Sequence, residues 1–289
     1  MHRLNGVKRM TGSRWALEGI SQSVSLLLPG FVMEVLPEID STNSELIRRA
    51  RAGRDAPTLL VAEAQTAGRG RLGRNWQDGA GQPGSALKFS LGLPLAPADW
   101  SGLSLAVGLA VAESLHPEIR LKWPNDLWWQ GRKLAGILVE TAGAAHATGR
   151  FVVIGIGINI EPLEGQDFST RPAWLQALDP SLDAPAALAR IALPLVRAVR
   201  AFERHGFAPL AERFNERDAF AGLAVRLSDG TEGQALGVAA NGALRVRTRT
   251  ELREIISSEV SVRPLLAAGD ASPAPSPFST PSSSPSGRA

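Results

Sequence analysis

Apolar and polar side chains alternate along Phe31-Val-Met-Glu-Val-Leu36, the period-two pattern that predicts a strand. Ser41-Thr-Asn-Ser-Glu45 then opens a helix, with Thr42 and Glu45 placed as a capping box and Leu46, Ile47 and Ala50 on its apolar face. Thr58–Ala64 and Leu87–Leu93 read as further strands. Trp100–Leu115 carries Leu103, Val107, Ala110, Val111 and Leu115 at helical spacing and predicts a buried helix. Residues 120–122, 134–140 and 151–156 are strands, and Leu127–Arg132 predicts a hairpin turning near Gly131. Ala186–Phe202 and Leu210–Ala219 read as helices. This irregular alternation predicts an α+β domain, a mixed sheet carrying helices.

After Phe220 the texture changes. Short strands at 225–227, 233–239, 244–248 and 259–263 are separated by Asp229-Gly230 and Asn241-Gly242, which are hairpin-turn dipeptides. They predict a small all-β barrel over 221–266, appended to a larger domain over 31–220. Residues 1–30 show little periodicity and read as a partly ordered extension. The Pro/Ser-rich segment 267–289 is too poor in apolar residues to fold and reads as a disordered tail.

Composition narrows the chemistry. The net charge is +3, yet the pI is near 9.9. The chain has no cysteine, no tyrosine and only four lysines, so almost nothing titrates between neutrality and pH ~10 and a small arginine excess carries the pI upward. The high pI is therefore poor evidence for nucleic-acid binding. The positive excess lies in residues 41–160, which hold 13 basic and 9 acidic side chains. Absence of cysteine excludes disulfides, thiolate metal sites and thiol nucleophiles. The four histidines are scattered without metal-ligand spacing. No apolar stretch is long enough for a membrane span, and no signal peptide is evident, so a cytoplasmic protein without membrane association is expected.

The densest chemistry lies at Gly68-Arg-Gly-Arg-Leu-Gly-Arg74, where glycines leave the backbone free to approach an anion that arginine forks can hold. The segment satisfies G-x-G-x-x-G, but a glycine-rich loop ending at Pro83-Gly84 follows instead of the helix a dinucleotide site requires. A basic arm for nucleic-acid phosphates and an unliganded solvated loop remain as alternatives. Lys122-Trp-Pro-Asn-Asp126 and Arg132-Lys-Leu-Ala-Gly-Ile-Leu138 form a second constellation. Asn125 and Asp126 are placed to hold a magnesium ion or a ribose, or simply to make an Asx turn. Lys133 enters a strand, where it either meets an anion or protects a sheet edge. Gly155-Ile-Gly-Ile-Asn159 leaves room for a flat group against the backbone. Ser41-Thr-Asn43 sets hydrogen-bonding side chains at a helix start, which N-capping alone would also explain. Together the four pieces suit activation of a carboxylic acid by a nucleotide.

In this order and spacing, these five motifs resemble the signature of bacterial biotin protein ligases, also called biotin–[acetyl-CoA-carboxylase] ligases, over about Phe31 to Pro264. The resemblance implies a core akin to class II aminoacyl-tRNA synthetases and the biotin/lipoate ligases, with a C-terminal SH3-like barrel. It implies that ATP and Mg²⁺ convert biotin to biotinyl-5′-adenylate, and that biotin passes to a lysine of a biotin carboxyl carrier domain. By the same resemblance Ser41, Thr42, Asn43, Gln65 and Gly136 surround biotin, and Arg69, Gly70 and Arg71 close over biotin and adenylate. Lys133 bridges the biotin carboxylate and the α-phosphate, with Lys133, Arg71 and Asp126 as the catalytic set. Arg74, Lys122, Asn125 and Asp126 serve the nucleotide, Asp126 being the Mg²⁺ candidate, while Asn159 and Trp174 address the adenine. A homodimer through the catalytic sheet is a further expectation.

Three departures from the family pattern stand out. Leu72 replaces a common arginine, and Ser258 replaces the usual glycine before Glu259-Val-Ser261. Forty residues precede Ser41 and show no helix-turn-helix pattern, so a ligase without operator binding is expected. The rivals are a lipoate or octanoyl ligase or transferase of the same superfamily, and a DNA-binding regulator using the basic loop.

Overall fold

A computed structural model describes residues 15–76, 84–146, 149–163, 172–256 and 262–265, the side chains of 143–146 excepted. The larger sheet has seven strands: β1 (Val32–Ile39), β2 (Thr58–Gln65), β3 (Ala86–Leu95), β4 (Arg120–Lys122), β5 (Asp126–Trp129), β6 (Arg132–His146) and β7 (Gly149–Asn159). Their spatial order is β1-β2-β3-β7-β6-β5-β4. The β1–β2 pair is parallel and the other pairs are antiparallel, so the sheet is mixed as expected. The long antiparallel β3–β7–β6 core runs through Leu87, Phe89, Leu91, Val152, Ile154 and Ile156, all buried. Gln130 and Gly131 both take positive φ (48° and 72°), which makes the predicted tight turn between β5 and β6.

Helices pack on both faces of this sheet. They are α1 (Leu17–Ser25), α2 (Thr42–Arg51), α3 (Leu103–Leu115), α4 (Ala184–His205) and α5 (Ala211–Glu216). Most of α3 is buried against α4 and the sheet. Asp183 caps α4 by accepting the Ala186 N–H at 2.8 Å. None of these helices is long and apolar enough to cross a membrane.

Of the partly ordered extension read over 1–30, residues 15–30 are built into the larger domain. Trp15, Ile20, Val24 and Leu28 are buried in the main core, and α1 packs on α4 and β1. Their four- to five-residue spacing is a helical stripe, too short to dominate the polar residues around it. Residues 1–14, the tail 267–289 and Ser258–Ser261 lie outside the described residues.

The C-terminal unit is a five-stranded antiparallel sheet ordered β11-β10-β9-β8-β12, from β8 (Ala224–Leu227), β9 (Glu232–Val238), β10 (Leu244–Arg247), β11 (Leu252–Ile255) and β12 (Val262–Pro264). It is tied to the larger domain at specific points. The Trp123 indole N–H donates to the Gly242 carbonyl at 3.1 Å, and Asn215 exchanges hydrogen bonds with Val238 at 3.1 and 2.7 Å.

At this junction Asp218 accepts the Phe220 N–H through Oδ1, while its buried Oδ2 has no partner among the described residues. Burial pushes its carboxyl up to about 6, with the Phe220 N–H opposing. The native state therefore holds a proton there that the unfolded chain has lost. The resulting stability is full below about pH 4 and disappears as pH rises through about 6. Asp218→Asn keeps the acceptor for Phe220 and removes the buried charge. Urea unfolding should find it more stable than wild type by ~2–3 kcal/mol at pH 8 and equal to it near pH 4. Equal midpoints at both pH values would contradict this.

Candidate active site

The cleft lies on the sheet face opposite α3, where period-two alternation points Gly136, Leu138 and Glu140 of β6 and Gly155 and Gly157 of β7 to one side. Helix α2 and the arginine loop close over it. Ser41, in extended conformation, is the helix N-cap and its Oγ accepts from the Ser44 N–H. The capping box expected at Thr42 is thus corrected by one residue. Because Ser41 does the capping, Thr42 and Asn43 are released for other contacts. Thr42 donates from its backbone N–H (2.8 Å) and its hydroxyl (3.1 Å) to Gln65 Oε1 on β2. Asn43 crosses to β6, donating to Glu140 Oε2 at 2.9 Å.

Glycines in β7 make these approaches possible. A Cβ on Gly155 would sit 2.1 Å from Asn43 Oδ1, and one on Gly157 would sit 2.5 Å from Trp76 Cε2. The flat group that Gly155-Ile-Gly-Ile-Asn159 admits is therefore the protein's own Trp76 indole, which also crowds Gly136. Trp76 was not a sequence candidate. It closely follows the arginine loop, but its partner strand at Gly155–Gly157 lies far along the chain, so no local sequence signal marks it.

The arginine loop folds back on itself through Gly70 N–H to Arg74 O (2.7 Å) and Trp76 N–H to Gly68 O (2.9 Å). Leu72 adopts the left-handed region (φ 58°) with its side chain exposed. Arg71 points inward: its Nη1 donates to Asn125 Oδ1 at 2.8 Å, and its buried Nη2 has no acceptor among the described residues. Burial lowers the Arg71 pKa, Asp126 opposes this, and Arg74 adds to it. Asn125 is itself fixed by donating Nδ2 to the Ile137 carbonyl at 2.8 Å. Arg69 turns the other way and pairs with Glu140 at 2.9 Å.

Lys133 at the start of β6 pairs with Asp126 at 2.7 Å and lies 5.6 Å from the Trp76 ring centre. Lys122 sits over the Trp128 and Phe220 rings at 4.6 and 5.7 Å. Burial lowers its pKa, Asp126 opposes, and Lys133, Arg263 and Arg74 push the same way as burial. Among the described lining residues, Arg69, Arg71, Arg74, Lys88, Lys122 and Lys133 face the single carboxylate of Asp126. Such a cleft is a field for polyanions. Lys88, fully buried on β3 and donating to the Glu63 carbonyl at 2.8 Å, was not foreseen from the sequence.

The cleft gathers Ser41, Thr42, Asn43, Gln65, Arg69, Gly70, Arg71, Arg74, Lys122, Asn125, Asp126, Lys133 and Gly136. It does not gather Asn159 or Trp174. Asn159 is buried and donates to the Ala173 carbonyl at 2.9 Å, which pins the following segment, and Trp174 lies beside the Arg132 guanidinium at 5.6 Å. Asn159 Oδ1 is itself buried without a hydrogen-bond partner among the described residues.

Residues 35–159 match the Biotin/lipoate A/B protein ligase family. The bifunctional ligase/repressor BirA of Escherichia coli (strain K12) is 36% identical over 245 residues, spanning 82% of this chain and 75% of that protein. Biotin–[acetyl-CoA-carboxylase] ligase of Paracoccus denitrificans is 31% identical over 242 residues, spanning 78% of this chain and 98% of that protein. The structure of biotin protein ligase from Aquifex aeolicus in complex with biotin and ATP superimposes with a TM-score of 0.68 at 28% identity, covering 81% of this chain and 99% of that one. The chain belongs to the biotin protein ligase family.

Proposed function

We propose that this chain uses ATP to convert biotin to biotinyl-5′-adenylate. It then transfers biotin to a lysine of the biotin carboxyl carrier domain of acetyl-CoA carboxylase and related carboxylases. The observation that carries this reading is the cleft's two-part chemistry. A neutral hydrogen-bonding end (Ser41, Thr42, Asn43, Gln65) adjoins a cationic end where Arg71 Nη2 is buried without an acceptor. The first suits a ureido ring, and the second suits a carboxylate brought against phosphates.

In the first step a biotin carboxylate oxygen attacks the α-phosphorus and pyrophosphate departs. Lys133 and Arg71 offset charge as the two anions meet, and Trp76 floors the apolar span between the two ends. In the second step the carrier lysine's amine attacks the acyl carbon, AMP leaves, and the amine's extra proton is lost. Lys122, Arg74 and Asn125 border the nucleotide end. Among the described residues no three His, Cys, Asp or Glu side chains group so as to hold a metal ion. One carboxylate together with substrate phosphates is the usual Mg²⁺ environment, and Asp126 fits that role. A Mg²⁺ ion there would neutralise phosphate charge.

The test is to mix the protein with ATP, Mg²⁺, biotin and an apo carrier domain. Biotin should appear on the carrier lysine, and lipoate should not. Transfer of lipoate alone would move the assignment to the superfamily rival. The same reading carries a cytoplasmic enzyme that dimerises through the catalytic sheet. Gel filtration with and without biotin and ATP checks the second part.

A further inference from the structure

Glu140 lies outside every motif and does not line the cleft, yet it touches two groups that do. Its carboxylate is only about one-fifth exposed, and it accepts from Asn43 Nδ2 at 2.9 Å and pairs with Arg69 at 2.9 Å. From Asn43 the contacts continue inward. Ser90 Oγ, fully buried on β3, lies 2.6 Å from Asn43 Oδ1 and 2.7 Å from Thr42 Oγ1. Thr42 in turn holds Gln65 Oε1.

We propose that Glu140 is a positioning residue that fixes the donor and acceptor polarity of the cleft's neutral end through Asn43, Ser90 and Thr42. The inference rests on the biotin reading above. An ionised carboxylate can only accept, so Asn43 must turn its amide nitrogen to Glu140 and its oxygen to Ser90. Ser90 has one proton, and Asn43 Oδ1 is an obligatory acceptor for it. Thr42 is then left with its own proton to give. Independently, the Thr42 backbone N–H fixes Gln65 Oε1, which leaves Gln65 Nε2 on the side of Gly68. Besides Glu140, the carbonyl of Leu138 also favours this Asn43 orientation, but only through a long 3.4 Å contact, so the carboxylate is the stronger determinant. A flipped amide would reverse the proton order at Ser90 and Thr42. A ureido group, with N–H donors and one carbonyl, is sensitive to that order.

The experiment measures biotin Kd by calorimetry, KM for biotin and for ATP, and thermal melting, for wild type, Glu140→Ala, Glu140→Gln and Ser90→Ala. Glu140→Ala should raise biotin Kd and KM roughly 10-fold or more, about one buried hydrogen bond's worth, while KM for ATP stays within about 2-fold. Glu140→Gln retains an oxygen for Asn43 and should bind biotin within about 3-fold of wild type, although it loses the charge opposite Arg69. Ser90→Ala breaks the chain with Glu140 intact and should reproduce the biotin-specific loss, which keeps the test decisive if Glu140→Ala does not fold. Unchanged biotin affinity in both Glu140→Ala and Ser90→Ala would overturn the proposal. So would a Glu140→Gln variant as impaired as alanine, since the effect would then belong to the Arg69 pair. Failure of wild type itself to bind biotin would instead remove the reading beneath it.

Discussion

Lys133→Ala should abolish most adenylate formation, with pyrophosphate exchange falling roughly 10²–10³-fold, the scale on which a preorganised charge acts in a dry site. Lys133 has the placement such a role needs. It projects from the first residues of β6 at the boundary between the neutral and cationic ends, held by Asp126 at 2.7 Å and bordered by Trp76. Its neighbour Leu134 is fully buried and its own carbonyl accepts from Ala173 N–H at 2.8 Å, so the backbone under it is fixed. Biotin affinity should fall less than the chemical step does, because the neutral end is left intact. Wild-type exchange in the variant would refute the role.

Gly157→Ala should be nearly as damaging, for a steric reason. The added Cβ would meet Trp76 at 2.5–3.0 Å. The β7 backbone cannot yield readily, because Gly157 is paired with Lys88 on one side and Gly136 on the other. The indole must therefore leave its place on the cleft floor, and with it goes the surface that biotin's apolar chain would cover. Biotin Kd should rise at least ~10-fold, the transfer value of two or so buried methylenes, with little change in melting temperature. Gly19→Ala, on α1 where nothing lies within 4 Å, is the matched control and should leave binding unchanged. Equal affinities in the two variants would show that Trp76 does not floor the ligand.

Much of this architecture was legible in the chain. Most strands, and the helices read over 100–115 and 186–202, were visible because their burial follows a regular period, and the turn near Gly131 because positive φ has few residue choices. The arginine loop and the Lys122 and Lys133 constellations were visible because charge and glycine are scarce together. What escaped were residues whose meaning comes from partners distant in sequence. Glu140 looks like any outward strand residue until Asn43, nearly a hundred positions earlier, reaches it. Lys88 interrupts an apolar strand without any motif around it, yet it is interior. The strand 252–255 hides behind alternating charges. Asn159 divides its amide: Nδ2 donates to the Ala173 carbonyl, a role only the fold reveals, while Oδ1 is buried without a partner among the described residues.

The Trp123–Gly242 hydrogen bond, together with Val262 in the cleft lining, makes the small sheet a wall of the reaction chamber. Partial opening of that sheet would then be a gating equilibrium for the enzyme as well as a loss of local structure. The free energy of opening should appear twice, as the amide-exchange protection of β9 and β10 and as the fraction of enzyme able to retain its acyl-adenylate. A substitution at the junction that leaves every cleft residue in place should shift both quantities by the same amount.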